Sequence, residues 1–260
     1  MAKAMKRRGA TRKPVRKQRQ AIAWNVLLRN IFMLTGLVLF ATSIVWLNQD
    51  DTLPILHVTV DGKFEHVNKG KLVKSVMPYV SGSFISVDVA KLREAGESAP
   101  WVKQIQVQRR WPDSLHLIVE EQNAIAAWGQ YALVNKEGEL FYPAKKTFPK
   151  GLVQLDGPEG TNIMITKRYV SMKDKLLKVG LGIKQLKIDK RRSWLLKLNN
   201  DITVKLGRAD SEQRLNRFIA VYKAGLNQFN TKINTVDMRY TNGLAVNWKS
   251  GSQPDLNGAV

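Results

Sequence analysis

The chain has 260 residues, with 42 Lys+Arg against 21 Asp+Glu and no cysteine. That length holds one or two domains beside a tail or a membrane segment, and the missing cysteine excludes disulfide frameworks, thiol catalysis and Cys-ligated zinc. The positive charge suits nucleic acid, anionic membrane or acidic partners, but ten of the basic residues and no acid fall before residue 48, and the rest is ordinarily basic with 32 Lys+Arg against 21 Asp+Glu.

Residues 1–23 open with "MAKAMKRRGATRKPVRKQRQ". So few large apolar residues cannot offset the entropy of ordering, which predicts a disordered tail. From Ile31 to Leu47 there is no charge, and extending back to Trp24 adds Val26, Leu27 and Leu28 with one Arg29 able to snorkel. The pattern predicts a transmembrane helix over 24–47, with Trp24 and Trp46 at its two interfaces. The basic residues lie before the span, so the tail is expected in the cytoplasm and the rest outside it. A cleaved signal peptide competes, with Ala41-Thr42-Ser43 as its cleavage site, but the basic region and the apolar run are both too long for one.

After the span the periods shorten. "ILHVTVDG" (55–62) alternates as a strand. "NKGKLVKSVMPYV" (68–80) reads as a helix capped by Asn68, with Leu72, Val73 and Val76 on one face and Pro78 ending it. "SVDVAKLREAGESA" (86–99) gives a second helix with Ser86 as its cap. "WVKQIQVQRRW" (101–111) and "SLHLIVEE" (114–121) are strands about a Pro112-Asp113 turn, and Val102 stands apart from the register of Ile105 and Val107. The order is β-α-α-β-β. Beyond Ile125 come a hairpin in "YALVNKEGELFYP" (131–143), a strand in "GLVQLDGPEG", a helix over 163–180 closed by Gly180, and strands at 183–189, 193–198 and 202–207. "ADSEQRLNRFIAVYKAGL" (209–226) is the clearest helix: Asp210 and Gln213 match a capping box, and Leu215, Phe218, Ile219 and Tyr222 form a core stripe. "VDMRYTNGLAVNWK" (236–249) reads as strand, tight Asn-Gly turn and strand. Residues 250–260 are expected to be disordered.

No catalytic constellation emerges. His57, His66 and His116 lack metal-ligand spacing, Gly157-Pro158-Glu159-Gly160 lacks the Lys and helix of a phosphate loop, and there is no nucleophile elbow. The basic arm lacks the interleaved aromatics of a nucleic-acid binder, and orientation of the span accounts for it.

The stretch 53–121 resembles a POTRA domain. Three motifs are more specific: "PWVKQIQVQRRWPDSLHLIVEE" (100–121), "RRSWLLKLNNDITVKLGR" (191–208) and "VDMRYTNGLAVNW" resemble, in that order, segments of the FtsQ/DivIB family. The resemblance implies an α+β chain. A basic cytoplasmic tail (1–23) and a single-pass anchor (24–47) lead to a POTRA domain (53–122). A mixed α/β "β-domain" (123–249) and a disordered tail (250–260) follow. It also implies a non-enzymatic scaffold without cofactor or metal, in the inner membrane at the division septum. Such a scaffold binds FtsB and FtsL and connects FtsK with FtsW and FtsI.

Carried over residue by residue, the FtsB/FtsL contact points to Arg191, Arg239, Tyr240, Asn242, Gly243 and Trp248. At Asn242 the family commonly has a small polar residue such as Ser. Weaker POTRA contacts map to Val89, Gln104 and Val107. Physically, a last edge strand offers backbone pairing, with Tyr240 and Trp248 as anchors and the arginines facing acidic groups. Alternation alone leaves Tyr240 and Trp248 equally able to pack inside the domain. Packing is the default for Trp101, Trp111 and Trp128. Two other readings remain: a POTRA-type chaperone or assembly component for extracytoplasmic proteins, and an extracytoplasmic enzyme.

Overall fold

The computed structural model describes residues 24–47, 54–81 and 83–251. The tail expected at 1–23, and all but residues 250 and 251 of the tail expected at 250–260, lie outside the described residues.

Helix α1 spans Trp24–Leu47. At 1.5 Å per residue it is about 36 Å long, enough for the ~30 Å hydrocarbon core of a bilayer. Its few hydroxyls turn inward: Thr35 donates to the Ile31 carbonyl at 2.8 Å, Thr42 to Val38 at 3.0 Å and Ser43 to Leu39 at 2.8 Å. No hydroxyl among them asks lipid for a partner, which is what a membrane segment requires. The chain is thus a single-pass anchor followed by two sheet domains.

The first sheet domain contains β1 (His57–Gly62), α2 (Lys69–Val76), α3 (Val89–Glu97), β2 (Val102–Arg110) and β3 (Ser114–Glu121). The sheet order is β1-β3-β2, with β1 parallel to β3 and β2 antiparallel to it. A parallel neighbour needs a crossover, and the two helices supply it. The Asn68 side chain accepts from the Lys71 N–H, as its position suggested. Helix α2 ends at Val76 and runs into a 3-10 turn, Met77–Tyr79, that contains Pro78. The second cap differs from expectation: Asp88, not Ser86, accepts from the Ala90 and Lys91 N–H groups. Ser86 instead closes a small turn with Ser83. The β2–β3 register slips between Val102 and Gln104, and this bulge turns both Val102 and Ile105 into a core with Leu72, Val76, Leu92, Leu115, Leu117 and Val119.

The second domain is built on β4 (Ala124–Trp128), β5 (Ala132–Asn135), β6 (Leu140–Phe141), β7 (Val153–Asp156), α4 (Asn162–Leu177), β8 (Ile183–Ile188), β9 (Trp194–Leu198), β10 (Thr203–Gly207), α5 (Ser211–Ala224), β11 (Ile233–Asp237) and β12 (Ala245–Trp248). Its nine strands run β12-β11-β10-β9-β8-β7-β4-β5-β6. One face carries both helices: Ile165, Tyr169, Met172 and Leu176 of α4 and Leu215, Phe218 and Tyr222 of α5 share a core with Leu155, Leu186, Leu196, Val204 and Val236. The pleat sends the alternate set outward, so Asp156, Lys187, Leu195, Lys205, Asp237 and Ala245 form a row across the opposite face.

Two local expectations fail here. Asp210 makes no side-chain cap to α5; its backbone is left-handed, at φ 51°, which aims the carboxylate away from the helix N–H groups. The tight Asn-Gly hairpin is also absent. Strands β11 and β12 do pair antiparallel, but a seven-residue loop, 238–244, joins them, and neither Asn242 nor Gly243 has the positive φ of a type I′ turn.

A third cluster joins the domains. Trp101 packs with Leu133 of β5 and Phe141 of β6, stacks on His66 with ring centroids 3.9 Å apart, and donates from Nε1 to Thr147 Oγ1 at 3.0 Å. The Glu121 carboxylate accepts from the N–H groups of Glu65, His66 and Val67, fixing the segment that carries His66. Trp101 thus packs as expected, and Trp128 is half-buried against the β-domain core. Trp111 does not: it is 80% exposed.

Candidate functional site

Strand β12 closes one end of the nine-stranded sheet, eight strand spacings from β6 at the other end. With about 4.8 Å per spacing that is about 38 Å from the joint between the domains. Its outer edge is free of any strand among the described residues. Such an edge is a template for another chain unless it is covered.

The loop before β12 is held by its neighbours rather than by its own turn chemistry. The Arg217 guanidinium, projecting from α5, donates to the carbonyls of Met238 at 3.0 Å, Tyr240 at 2.7 Å and Thr241 at 2.6 Å. One planar fork therefore ties three carbonyls of a single loop. Arg239 folds back on Asp237: its Nε donates to Oδ1 at 2.9 Å and its Nη2 to Oδ2 at 2.6 Å. Those bonds hold the Asp237 carboxyl below the usual carboxylate range, against the opposing effect of its burial, and they raise the Arg239 guanidinium. Room for the arginines comes from Gly207, at φ 75°. A Cβ there would lie 2.6 Å from Arg214 Nη1 and 3.0 Å from Arg239 Cγ, and the left-handed backbone is itself costly for other residues.

The six carried-over residues fall into two neighbouring places. Arg239, Tyr240, Asn242 and Gly243 lie on the pinned loop, all exposed. Arg191 is exposed in the tight β8–β9 turn, which Asp189 closes by accepting the Ser193 N–H at 2.8 Å. That turn and Arg239 line one shallow cleft of 240 Å³, floored by Lys187 and Lys205 of the helix-free face. The two aromatics separate. Tyr240 is 58% exposed. Trp248 is half-buried on the helix side, edge-on to Phe229 with centroids 5.8 Å apart. The POTRA residues are not brought to this place. Gln104 and Val107 lie on β2, an edge of the other sheet, and Val89 opens α3; Val89 and Val107 pack partly against that core.

Sequence reasoning missed Arg217 and Asp237. The signal for Arg217 was Arg214 and Arg217 at i, i+3 beside the apolar stripe; Arg214 makes the companion tie, donating to the Leu206 carbonyl at 2.8 Å. Asp237 offered only its i, i+2 spacing to Arg239, a pairing that depends on how the chain leaves β11.

Among the described residues no three His, Cys, Asp or Glu side chains are placed to hold a metal ion. Buried His116 shares a hydrogen bond with Thr59 at 2.9 Å through Nδ1, a satisfied core histidine.

Comparison with known proteins converges on one family. Residues 53–122 match the model described as POTRA domain, FtsQ-type, and residues 126–239 the model described as cell division protein FtsQ/DivIB, C-terminal. The second match stops at Arg239, before most of the pinned loop and β12. "Cell division protein FtsQ" of Coxiella burnetii is 32% identical over 246 residues, covering 95% of this chain and 100% of the relative. Those of Neisseria meningitidis and Escherichia coli are each 32% identical, covering 88% and 84% of this chain and 97% and 83% of the relative. With anchor, POTRA domain and sheet domain in that order, the chain belongs to the FtsQ/DivIB family of cell division proteins.

Proposed function

We propose that this protein is a non-enzymatic scaffold of the division machinery, whose β-domain captures FtsB and FtsL by strand addition at β12. The observation that carries the reading is the β12 edge, which no strand among the described residues covers, beside a pinned loop with exposed Tyr240. A partner strand would bond the free backbone edge, Tyr240 would be covered as an anchor, and Arg191 would face acidic side chains. Arg239 is already paired with Asp237, so its part is to shape the cleft. Asn242 would present its side-chain amide, and Gly243 bare backbone, to the partner. Trp248 supports the strand from behind. Weaker contacts through Val89, Gln104 and Val107 would engage FtsK, and FtsW and FtsI would follow in the same assembly.

The corresponding division of the chain is a cytoplasmic tail (1–23), anchor (24–47), POTRA domain (53–122), β-domain (123–249) and tail (250–260), set in the inner membrane at the septum with the bulk outside the cytoplasm. A reporter active only outside the cytoplasm, fused after residue 60, is expected to be active.

The test separates the two aromatics. Tyr240→Ala should leave the melting temperature unchanged and weaken capture of the FtsB/FtsL extracytoplasmic segments by about 2–4 kcal/mol, the range of interface hot spots. Trp248→Ala should lower both stability and capture, because it removes packing from Phe229. Wild-type capture by Tyr240→Ala sinks the site.

A further inference from the structure

Three segments of the POTRA domain meet at one end of its sheet. The start of β1 joins the β2–β3 turn: the Leu56 and His57 N–H groups donate to the Asp113 carbonyl at 2.9 and 3.4 Å. The loop before α3 joins them, through an isolated bridge between Pro54 and Ser83 and a 3.0 Å bond from Arg109 Nη2 to the Val87 carbonyl. Each segment exposes a large apolar side chain: Leu56 at 65%, Ile85 at 49% and Trp111 at 80%, which makes Trp111 the most exposed large apolar residue described outside α1. Arg110 is exposed next to Trp111, while the nearby Asp113 carboxylate is occupied by the Ser114 hydroxyl at 2.8 Å. A Trp, a Leu and an Ile gathered at one spot is a patch that needs an occupant, unlike apolar residues scattered singly.

The chain length names that occupant. Helix α1 ends at Leu47, and Pro54 is seven residues further on. Fully extended, seven residues reach about 25 Å at most. The patch begins at Pro54, so it is tethered close to the surface where the anchor leaves the bilayer. Tryptophan prefers that interface, where its ring is apolar and its N–H is wet, and an adjacent arginine suits lipid phosphates. We propose that this end of the POTRA domain rests on the lipid surface, with Trp111, Leu56 and Ile85 in the interfacial layer and Arg110 beside the headgroup phosphates. The proposal rests on α1 being the anchor. It gives the POTRA domain a fixed tilt on the membrane, from which the β-domain extends.

The chain has no cysteine, so single-cysteine variants report one site each. The full-length protein would be placed in lipid nanodiscs of phosphatidylcholine and phosphatidylglycerol without other proteins. An environment-sensitive fluorophore would be attached in Leu56→Cys, Ile85→Cys, Tyr131→Cys and Phe40→Cys. The expected result is a blue-shifted emission at positions 56 and 85, reduced at both when Trp111→Ser is added, and a solvent-like emission at 131. Solvent-like emission at 56 and 85 with a lipid-like signal at 40 overturns the proposal, even if a protein partner later covers those positions. A solvent-like signal at 40 removes the anchor itself, and the proposal with it.

Discussion

Arg217 is the residue on which the candidate site depends most, although no part of it need touch a partner. Its fork replaces the turn chemistry that the 238–244 loop lacks. Arg217→Lys keeps the charge but cannot reach three carbonyls at once, so the loop should loosen with the core intact. Calorimetric binding should show about a tenfold weaker Kd, or 1.4 kcal/mol, at an unchanged melting temperature; equal affinity would mean that the loop needs no clamp. The Asp237–Arg239 pair adds a pH signature. The folded Asp237 carboxyl is held below its unfolded value of about 3.9, so its contribution is complete above that pH and is lost as pH falls through the folded value. Capture should therefore be flat from pH 8 to 5 and weaken only below about 4. Weakening near pH 6 would point to a histidine instead. At this scale the sequence was partly legible: Arg191, Tyr240 and Asn242, which a docking role would require at the surface, are exposed; the role itself is what the binding experiments test. Trp248 was not legible, since its side depends on a register shift between Ile233 and Thr235 that no alternation pattern announces.

Among elements, the helices were read most faithfully and the turns least. The Leu215–Phe218–Tyr222 stripe is buried as its 3.6-residue period demands, because periodicity summed over four turns averages out local exceptions. The Asp210 cap and the Asn242-Gly243 turn rested on two or three residues each: a left-handed backbone at Asp210 removes the first, and a tertiary tie overrides the second, since Arg217 dictates the loop path that an isolated hairpin would have left to Asn-Gly. The sheet order was also beyond sequence reading, since β7 lies between β8 and β4, and β10 runs parallel to β11. This order is what leaves β12 at the margin. If strand addition is the mode of capture, those amides of residues 245–248 that point away from β11 should exchange quickly in the free protein and become protected when the FtsB/FtsL segments bind, while those of the central strand β8 stay slow in both states. Protection confined to the 189–193 turn would replace strand addition with a side-chain contact alone.

At the scale of the whole molecule, the two sheets act together only if the joint around Trp101 is stiff. Trp101 belongs in sequence to the strand that opens the POTRA hairpin, yet its ring lies between His66 on one side and Leu133 and Phe141 on the other, with Thr147 holding its N–H. The separation of 46 positions between Trp101 and Thr147 puts this contact beyond any local pattern, which is why the residue read only as generic packing. Beside it, Lys103 pairs with Glu120 at 2.9 Å and approaches Glu137 of the β-domain at 3.7 Å, and Asn135 donates to Gln122 at 3.1 Å. These polar ties are partly exposed and worth little alone, so the buried indole is the main fastener. Trp101→Ala should cost about 3–5 kcal/mol, as large-to-small changes in a core do. Each domain keeps its own core, so the loss should fall on their coupling. The expected outcome is a melt that splits from one transition into two, with capture at β12 retained, since that edge lies at the far end of the sheet. A single transition at an unchanged temperature would mean that the indole is not the fastener, whereas two transitions already in the unaltered protein would mean that the domains move independently, and a tilt imposed on the POTRA domain by the membrane would then not reach the β-domain.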